Sequence, residues 1–360
     1  MRAACVVILT CCVALAAAGC AVAAAPDAVA EGPMVFGLAN VVNDPEQADK
    51  DAAVAAALGA RLTRVCMYWR DIEPTPGRFN YDTTDRLVAA CQAHGIDVQG
   101  QIAFPPDWAR EAKTNVLYPP NDLKAWKAFV FQTVERYDGD GARATCPYSG
   151  RIVADAPGLR KPVRCGMVWM GVNKPDHFHG TAADYARVLT AAAEAVRAAD
   201  PRAKVLVEFS FPPALTDQQR AAGLGFTLDD LLGQDPKVAA AIDVVAFAFG
   251  YPDVAGAAQS LAELQATLKK HKLSRPIWFN GFAQFFDGGK RPDDAVPKTD
   301  YLRATCRLAR DNGIPVFIYG WLKSKSPPGT KYDFGLLNAD GTRQDPDPAE
   351  VFSELAHQRR

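Results

Sequence analysis

Short apolar strand patterns alternate with amphipathic helical patterns eight times along this 360-residue chain, from residue 35 to its end. The strand patterns are nearly continuous apolar runs, which is typical of parallel strands covered on both faces. Gly95 and Gly313 each follow a helical pattern, as C-terminal stop signals do. Eight such units favour a single α/β domain, a (β/α)8 TIM barrel, and a doubly wound open sheet is the structural alternative.

The bounds of the elements follow from the same patterns. The predicted strands cover residues 35–39, 62–68, 97–103, 165–170, 204–209, 244–249, 276–279 and 316–319. The predicted helices cover 47–58, 83–94, 123–137, 182–199, 228–241, 257–271, 301–312 and 349–358. In barrels of this kind the chemistry lies on the loops that follow the strands, so the loops after strands two to eight are the candidates for a site.

The segment 138–162 follows a helix and precedes a strand, which predicts that it lies on the face opposite to the site. Cys146 and Cys165 flank a loop rich in Pro, Gly and Arg, and we predict that they form a structural disulfide in an oxidising compartment. No cysteine spacing resembles a zinc site, and we expect neither a metal nor a cofactor. The remaining cysteines of the barrel lie in apolar patterns and are predicted to be buried thiols: Cys66, Cys91 and Cys306.

The N-terminal residues form a separate region. Arg2 precedes an apolar run over residues 3–18, so residues 1–25 are predicted to be a signal peptide and residues 33–360 the barrel. Ala17-Ala18-Gly19-Cys20 resembles a bacterial lipobox, which would leave Cys20 lipidated, whereas residues 23–25 suit ordinary signal cleavage. An uncleaved anchor helix is the third reading. All three predict export, either to the bacterial cell envelope as a lipoprotein or as a secreted protein.

Charge gives no reason to expect a polyanionic partner. The chain has 40 Lys and Arg against 41 Asp and Glu, and a formal net charge of -1. No basic run interleaved with aromatic residues is present, so nucleic acid is not an expected partner. We expect a monomer that contacts a membrane only through a lipid anchor.

Three stretches together resemble clan A glycoside hydrolases, and among them most closely family 39, the β-xylosidase-like group. They are RVCMYWRDIEP at 64–74, FPPDWA at 104–109, and FGLL at 334–337. The resemblance covers residues 35 to 356. It implies a retaining barrel enzyme in which one glutamate after strand four acts as acid/base and a second at the end of strand seven acts as nucleophile.

Both glutamate positions differ in this chain. Asn173-Lys174-Pro175 stands where the resemblance implies Asn-Glu-Pro, and a lysine cannot donate and then accept the proton as a carboxyl group does. The nucleophile position falls on Gly281, directly after Asn280, and residues 279–286 contain no carboxylate. The sequence therefore predicts a sugar-binding barrel without the two-glutamate machinery, a pseudo-glycosidase.

The resemblance also implies a pocket for an oligosaccharide or polysaccharide. An arginine of strand two supports the nucleophile, an asparagine contacts a sugar hydroxyl, and aromatic rings stack on the sugar. The predicted substrate-binding residues are Arg64, Trp108, Asn173, Tyr251, Asn280 and Trp321.

Two alternative functions remain open. One is an active O-glycosyl hydrolase with relocated carboxylates, such as Glu208 at the end of strand five and Asp176. The other is a surface-tethered scaffold protein with no sugar ligand.

Two readings of Lys174 are open. It is either a recognition or structural cation, paired with Glu208 or Asp176, or the remnant of a decayed site. Asp176 with His177 and His179 could suit a metal ion, but a surface loop is the favoured reading.

Overall fold

Eight parallel strands close into a barrel in the computed structural model, which confirms the predicted (β/α)8 fold. The structure describes residues 33–111, 115–210, 225–248, 253–284, 295–325 and 333–358. The strands are β1 (Val35–Asn40), β2 (Leu62–Tyr68), β3 (Asp97–Ala103), β4 (Arg143–Thr145), β5 (Ile152–Ala154), β6 (Cys165–Val168), β7 (Lys204–Ser210), β8 (Val244–Ala248), β9 (Ile277–Phe282), β10 (Val316–Lys323) and β11 (Gly335–Leu337).

The barrel consists of β1, β2, β3, β6, β7, β8, β9 and β10 in that order. Its seam joins β1 to β10 in parallel, from the pair Val35 and Val316 to the pair Asn40 and Trp321. The short strand β11 extends the sheet beside β10. The loops after β7, β8, β9 and β10 lie partly outside the described residues, so the mouth of the barrel is described mainly through its strands and the loops after β2, β3 and β6.

The described helices are α1 (Ala48–Ala57), α2 (Trp69–Ile72), α3 (Asp82–Ala93), α4 (Leu123–Arg136), α5 (Ala182–Ala199), α6 (Leu228–Leu232), α7 (Pro236–Ala241), α8 (Val254–Lys270), α9 (Lys298–Asp311) and α10 (Pro348–His357). The single helix predicted over 228–241 is two helices. Pro236 begins α7, and the Asp235 side chain accepts from the backbone N–H of Lys237, so a new helix starts there. In the described part of the chain, no helix has both the length and the apolar character needed to cross a bilayer.

The segment 138–162 forms a hairpin of β4 and β5, which the sequence patterns did not predict. Arg151 in this hairpin donates from Nη1 to the backbone oxygen of Gly77 at 2.6 Å, and its guanidinium lies 4.8 Å from the ring centre of Phe79. Because residues 77 and 79 follow β2, the tip of the hairpin reaches toward the end of the barrel where the candidate site was expected. The last part of the segment lies at the opposite end, where Lys161 Nζ is 3.0 Å from Oδ1 of Asp97 at the start of β3. The prediction that this segment lies on the opposite face is therefore wrong for its tip alone.

The predicted disulfide between Cys146 and Cys165 is also wrong, because both are free thiols. Cys146 lies buried against α4, with Sγ 3.9 Å from the carbonyl oxygen of Ala128. Cys165 begins β6 and packs with the interior cluster of the barrel around Met167 and Leu206. The two side chains thus lie on different sides of the barrel wall. Cys91 and Cys306 are buried thiols, as predicted, whereas Cys66 is partly exposed.

The lower interior of the barrel is apolar and the part above it is polar. Leu62, Val316 and Ile318 form one apolar cluster with Ala39, and Leu206 belongs to another with Val244 and Ala246. Side chains two residues apart on a strand point to the same face. Arg64 therefore follows Leu62 into the interior, and Glu208 follows Leu206, which places charged groups directly above this apolar floor.

Candidate functional site

Three polar side chains from three strands meet inside the barrel. Arg64 on β2 approaches Glu208 on β7, with Nη1 3.4 Å from Oε2. Asn280 on β9 donates from Nδ2 to the same carboxylate oxygen at 2.5 Å. The resemblance implied that Arg64 would support a residue of strand seven, but here its charged partner is the glutamate of strand five. We call Arg64, Glu208 and Asn280 the interior triad.

The carboxyl group of Glu208 is fully buried. Burial raises the pKa of Glu208 from its ordinary value to about 7, while the charge of Arg64 and the hydrogen bond from Asn280 oppose that rise. A carboxyl group with a pKa near neutrality exchanges protons easily at physiological pH, as a general acid must. The position of Glu208 in the sequence did not reveal this burial or the raised pKa that follows from it.

Other polar side chains around the triad enlarge this polar interior. Gln99 and Gln101 on β3 are fully buried, and the Sγ atom of Cys66 lies 3.8 Å from Oε1 of Gln101. Several buried atoms here have no hydrogen-bond partner among the described residues: Arg64 Nε, Glu208 Oε1, Asn280 Oδ1, both amide atoms of Gln99, and Gln101 Nε2. Each such group costs about 1–3 kcal/mol when it is buried without a hydrogen-bond partner, so this polar interior opposes the stability of the fold.

The two glutamines were missed by the sequence analysis. Their signal was available, because residues 99 and 101 are polar and alternate within an otherwise apolar strand. On a strand, residues two apart face the same side, so a pair of this kind indicates a polar barrel interior.

Asn173, in the loop after β6, holds that loop against β7. Its Nδ2 donates to the backbone oxygen of Ser210 at 2.7 Å, and its Oδ1 accepts from the backbone N–H of Ser210 at 2.8 Å. The side chain is fully buried. Contact between Asn173 and a sugar hydroxyl stays a prediction, and in this conformation the amide serves as a clamp between two strand ends.

Lys174 and His177 lie in a tight turn directly after this clamp. The backbone N–H of His177 donates to the oxygen of Lys174 at 2.9 Å, and its ring Nδ1 lies 3.4 Å from Ser210 Oγ. Burial lowers the pKa of His177, Asp176 raises it, and the charges of Lys174 and Arg64 lower it further. Two cations therefore act on one partly buried histidine beside the interior triad. Asp176 is exposed, and its charge acts on His177.

Gly281 departs from the family pattern in its backbone as well as in its side chain. It has a φ of 89°, in the left-handed region, and the register between β9 and β10 shifts next to it, between Ile318 and Tyr319. The nearest atom to an added Cβ is the Cβ of Ala39 at 3.6 Å, so space is available. Only glycine adopts this φ without strain, which means that a glutamate at this position would be strained.

The two predicted stacking residues within the described chain lie in different places. Trp321, near the end of β10, is partly exposed, and the ammonium group of Lys325 lies 4.8 Å from its ring centre. Trp108 lies outside the barrel wall, where its ring meets Trp69 edge-on at 5.3 Å. Trp69 in turn stacks on Phe129 of α4. Tyr251, the third predicted aromatic contact, lies outside the described residues.

Glu73, in the turn after β2, has a structural role. Its carboxylate accepts from Trp69 Nε1 and from the backbone N–H of Gly77, both at 2.7 Å. Trp108 Nε1 donates to the backbone oxygen of Glu73 at 3.2 Å. These contacts fix the loop after β2 against the loop after β3.

Possible metal ligands lie away from the mouth. Among the described residues, Asp138, Asp140 and Asp155 offer carboxylate oxygens within 4.8 Å of one another, near the end of α4. Burial and neighbouring carboxylates raise the pKa of Asp138 to about 6. Acidic clusters of this kind are common without an ion. The ring of His179, considered above as a ligand, packs against Tyr118 at 4.5 Å.

No family model matches the chain. No curated protein matches it either. Solved structures do match, and those described here are glycoside hydrolases with the same closed barrel.

A glucosidase from Croceicoccus marinus is 16% identical over 89% of this chain and 65% of its own, with a TM-score of 0.62. A family 39 glycoside hydrolase from Bacteroides cellulosilyticus WH2 is 14% identical over 90% of this chain and 63% of its own, with a TM-score of 0.64. The xylanase TsXylA from Thermoanaerobacterium saccharolyticum is 13% identical over 90% and 96%, with a TM-score of 0.59. The chain thus spans under two thirds of the first two proteins. At these identities the likeness shows the fold.

Proposed function

We propose that this protein binds a glycan at the carboxyl end of the barrel and does not hydrolyse it by the two-glutamate retaining route. One observation supports this above the others. The described barrel strands carry two acidic residues, Asp97 at the exposed start of β3 and the buried Glu208, which is paired with Arg64 and Asn280. Retaining hydrolysis needs two carboxyl groups about 5 Å apart across the sugar. Lys174 and Gly281 occupy the two positions at which the resemblance implies these carboxyl groups.

The choice of a glycan as ligand rests on the barrel and its polar lining. The similar solved structures include a xylanase in complex with xylotriose and a family 5 enzyme in complex with Manb1-4GlcNAc. Gln99, Gln101 and the interior triad supply donors and acceptors below the mouth, and Trp321 supplies a partly exposed ring. A few polar groups beside an aromatic face form the usual chemistry of a sugar site.

The test combines a binding assay with a turnover assay. Purified protein is measured by calorimetry against soluble xylan, mannan and glucan hexasaccharides, and by product release from aryl β-glycosides and cell-surface polysaccharides. We expect binding with turnover close to background, because acid/base and nucleophile are both absent from their usual positions. Absence of binding to every glycan would favour the scaffold alternative instead.

A second candidate, an active hydrolase that uses Glu208 as its acid, is favoured by the pKa of about 7 at that residue. A Glu208→Gln variant removes the titrating proton, and Asp71→Asn, at an exposed acid to which no role is assigned, serves as the control. Substantial product release by the wild type that is lost in Glu208→Gln and kept in Asp71→Asn would establish this candidate and reject the first.

Export is proposed on the N-terminal sequence alone. A Cys20→Ser variant expressed beside the wild type in a bacterium separates the routes. Radiolabelled palmitate on the wild type only would establish lipidation at Cys20, whereas an unlabelled protein released into the medium would indicate ordinary signal cleavage.

A further inference from the structure

A groove on the flank of the barrel is built by the loop after β2, Trp108, the first half of α4 and the tip of the β4–β5 hairpin. Its volume is about 460 Å³, which lies within the usual range of roughly 300–1,000 Å³ for small-molecule sites. Neither the interior triad nor Lys174 nor Trp321 is among its lining residues. The groove is therefore separate from the candidate site at the mouth.

Three partly exposed aromatic side chains line this flank groove: Phe79, Trp108 and Tyr148. Trp108 is held at two points, by the hydrogen bond from Nε1 to the oxygen of Glu73 and by its edge-on contact with Trp69. A ring fixed in this way loses little conformational freedom when a ligand stacks on it. The aromatic floor of the groove is thus formed mainly by the preorganised Trp108, since Phe79 stacks on Tyr81 and lies 4.8 Å from the guanidinium of Arg151.

The rim of the flank groove is polar. Asp122, Lys124, Ser149 and Arg151 are exposed and line it. They include both hydrogen-bond donors and acceptors, and they carry charges of both signs. A mixed rim of this kind suits a ring with many hydroxyl groups better than a polyanion, which would need charge of a single sign.

We propose that the flank groove is a second saccharide-binding site. The aromatic floor takes the apolar face of a pyranose ring, and the rim contacts its hydroxyl groups. Since residues of the loops after β2 and β3 line its upper part, that part of the groove lies near the same end of the barrel as the mouth. The choice of a saccharide rests on the proposed function, whereas the location rests on the groove itself.

The test uses the hexasaccharide, among those of β-1,4-xylan, β-1,4-mannan and β-1,4-glucan, that binds the wild type most tightly. Calorimetry is repeated on Trp108→Ala for the flank groove and on Trp321→Ala for the mouth. We expect two sites in the wild type and one in each variant, with at least a tenfold loss of affinity at the altered site. Trp108→Phe retains an aromatic surface and should recover part of the loss.

Loss of packing at Trp108 is controlled by a rim variant. Lys124→Ala changes an exposed side chain and should weaken the flank site severalfold while leaving the melting temperature unchanged. If Trp108→Ala and Lys124→Ala bind like the wild type and Trp321→Ala does not, the flank site is wrong and the mouth site stands. If Trp321→Ala binds like the wild type and Trp108→Ala does not, the mouth site is wrong and the flank site stands. A wild type that binds none of the hexasaccharides would reject both.

Discussion

At the scale of single residues, the interior triad sets the chemistry of the barrel. The resemblance implied that Arg64 supports the nucleophile position, Gly281, which directly follows Asn280. The convergence of Arg64 and Asn280 on Glu208 was not expected. A side chain inside a barrel is surrounded by eight strands, so its nearest partner depends on the closure of the sheet. No single stretch of sequence carries that information.

Glu208 leads to a pH dependence of stability. Its pKa is raised to about 7 in the folded chain, so the folded state holds the proton more tightly than the unfolded state, whose carboxyl titrates near 4.3. Stability from this group is fully present below that lower value and is lost as pH rises through about 7. We expect a loss of roughly 3–4 kcal/mol in the free energy of unfolding across this interval, reduced in Glu208→Gln, as measured by urea unfolding at several pH values.

Part of the decrease in unfolding free energy with rising pH should persist in Glu208→Gln. Burial and nearby carboxylates raise the pKa of Glu135 to about 7 as well, which contributes with the same sign. A variant with the full wild-type slope would contradict the assignment to Glu208.

Asn173 leads to a prediction about stability. Asn173→Ala leaves the buried N–H and carbonyl groups of Ser210 without their partners. We expect a loss of ~3 kcal/mol in the free energy of unfolding, measured with urea. The exposed neighbour Asp176 provides the control, since Asp176→Ala should change stability by under about 0.5 kcal/mol. Equal effects of the two variants would mean that the clamp has no role in stability.

At the scale of elements, periodicity predicted most of the bounds to within one residue. β2, β3 and α5 begin and end at the predicted residues, because their apolar patterns are long and flanked by clear stop signals. The β4–β5 hairpin was missed because its two strands have three residues each, too few for an alternation to stand out. The break between α6 and α7 was missed although Asp235-Pro236 marks the start of a helix.

The start of α5 gives a test at this scale. Thr181 and Asp184 form a capping box, in which the N–H of Asp184 donates to Thr181 Oγ1 at 3.2 Å and the N–H of Thr181 donates to Asp184 Oδ2 at 2.9 Å. We expect Thr181→Ala to reduce the free energy of unfolding by about 1 kcal/mol. Thr190→Ala on the same helix is the control, because the Thr190 hydroxyl donates only to carbonyl oxygens of its own helix, those of Ala186 and Arg187. Its effect should stay within about 0.5 kcal/mol.

At the scale of the whole molecule, the closed barrel could be predicted because eight units repeat one pattern. The mouth could be predicted in outline only, since loop residues follow no periodicity and several of the mouth loops lie outside the described residues. Lys174 and Gly281 were recognised through the resemblance, which implies a glutamate at each of these positions. The positive φ of Gly281 was not predicted, because the presence of a glycine in the sequence does not determine its backbone angles.

Closure of the barrel gives the fourth prediction. A Cβ at Gly37, in the seam strand β1, would lie 2.4 Å from the carbonyl oxygen of Leu62 and 3.2 Å from the side chain of Ile318. Gly37→Ala should therefore cost ~3 kcal/mol, because it forces neighbouring strands apart. At Gly166 on β6 the nearest atom to an added Cβ is 3.9 Å away, so Gly166→Ala should be nearly neutral. Thermal unfolding of the two variants compares them, and similar melting temperatures would contradict the seam argument.

The separation of Cys146 and Cys165 by the barrel wall has a practical consequence. With all five described cysteines as free thiols, we expect the barrel to fold without disulfide formation or exchange. The polypeptide should reach the same native state in a glutathione-rich cytosol as in an oxidising lumen, and dithiothreitol should leave its refolding yield unchanged.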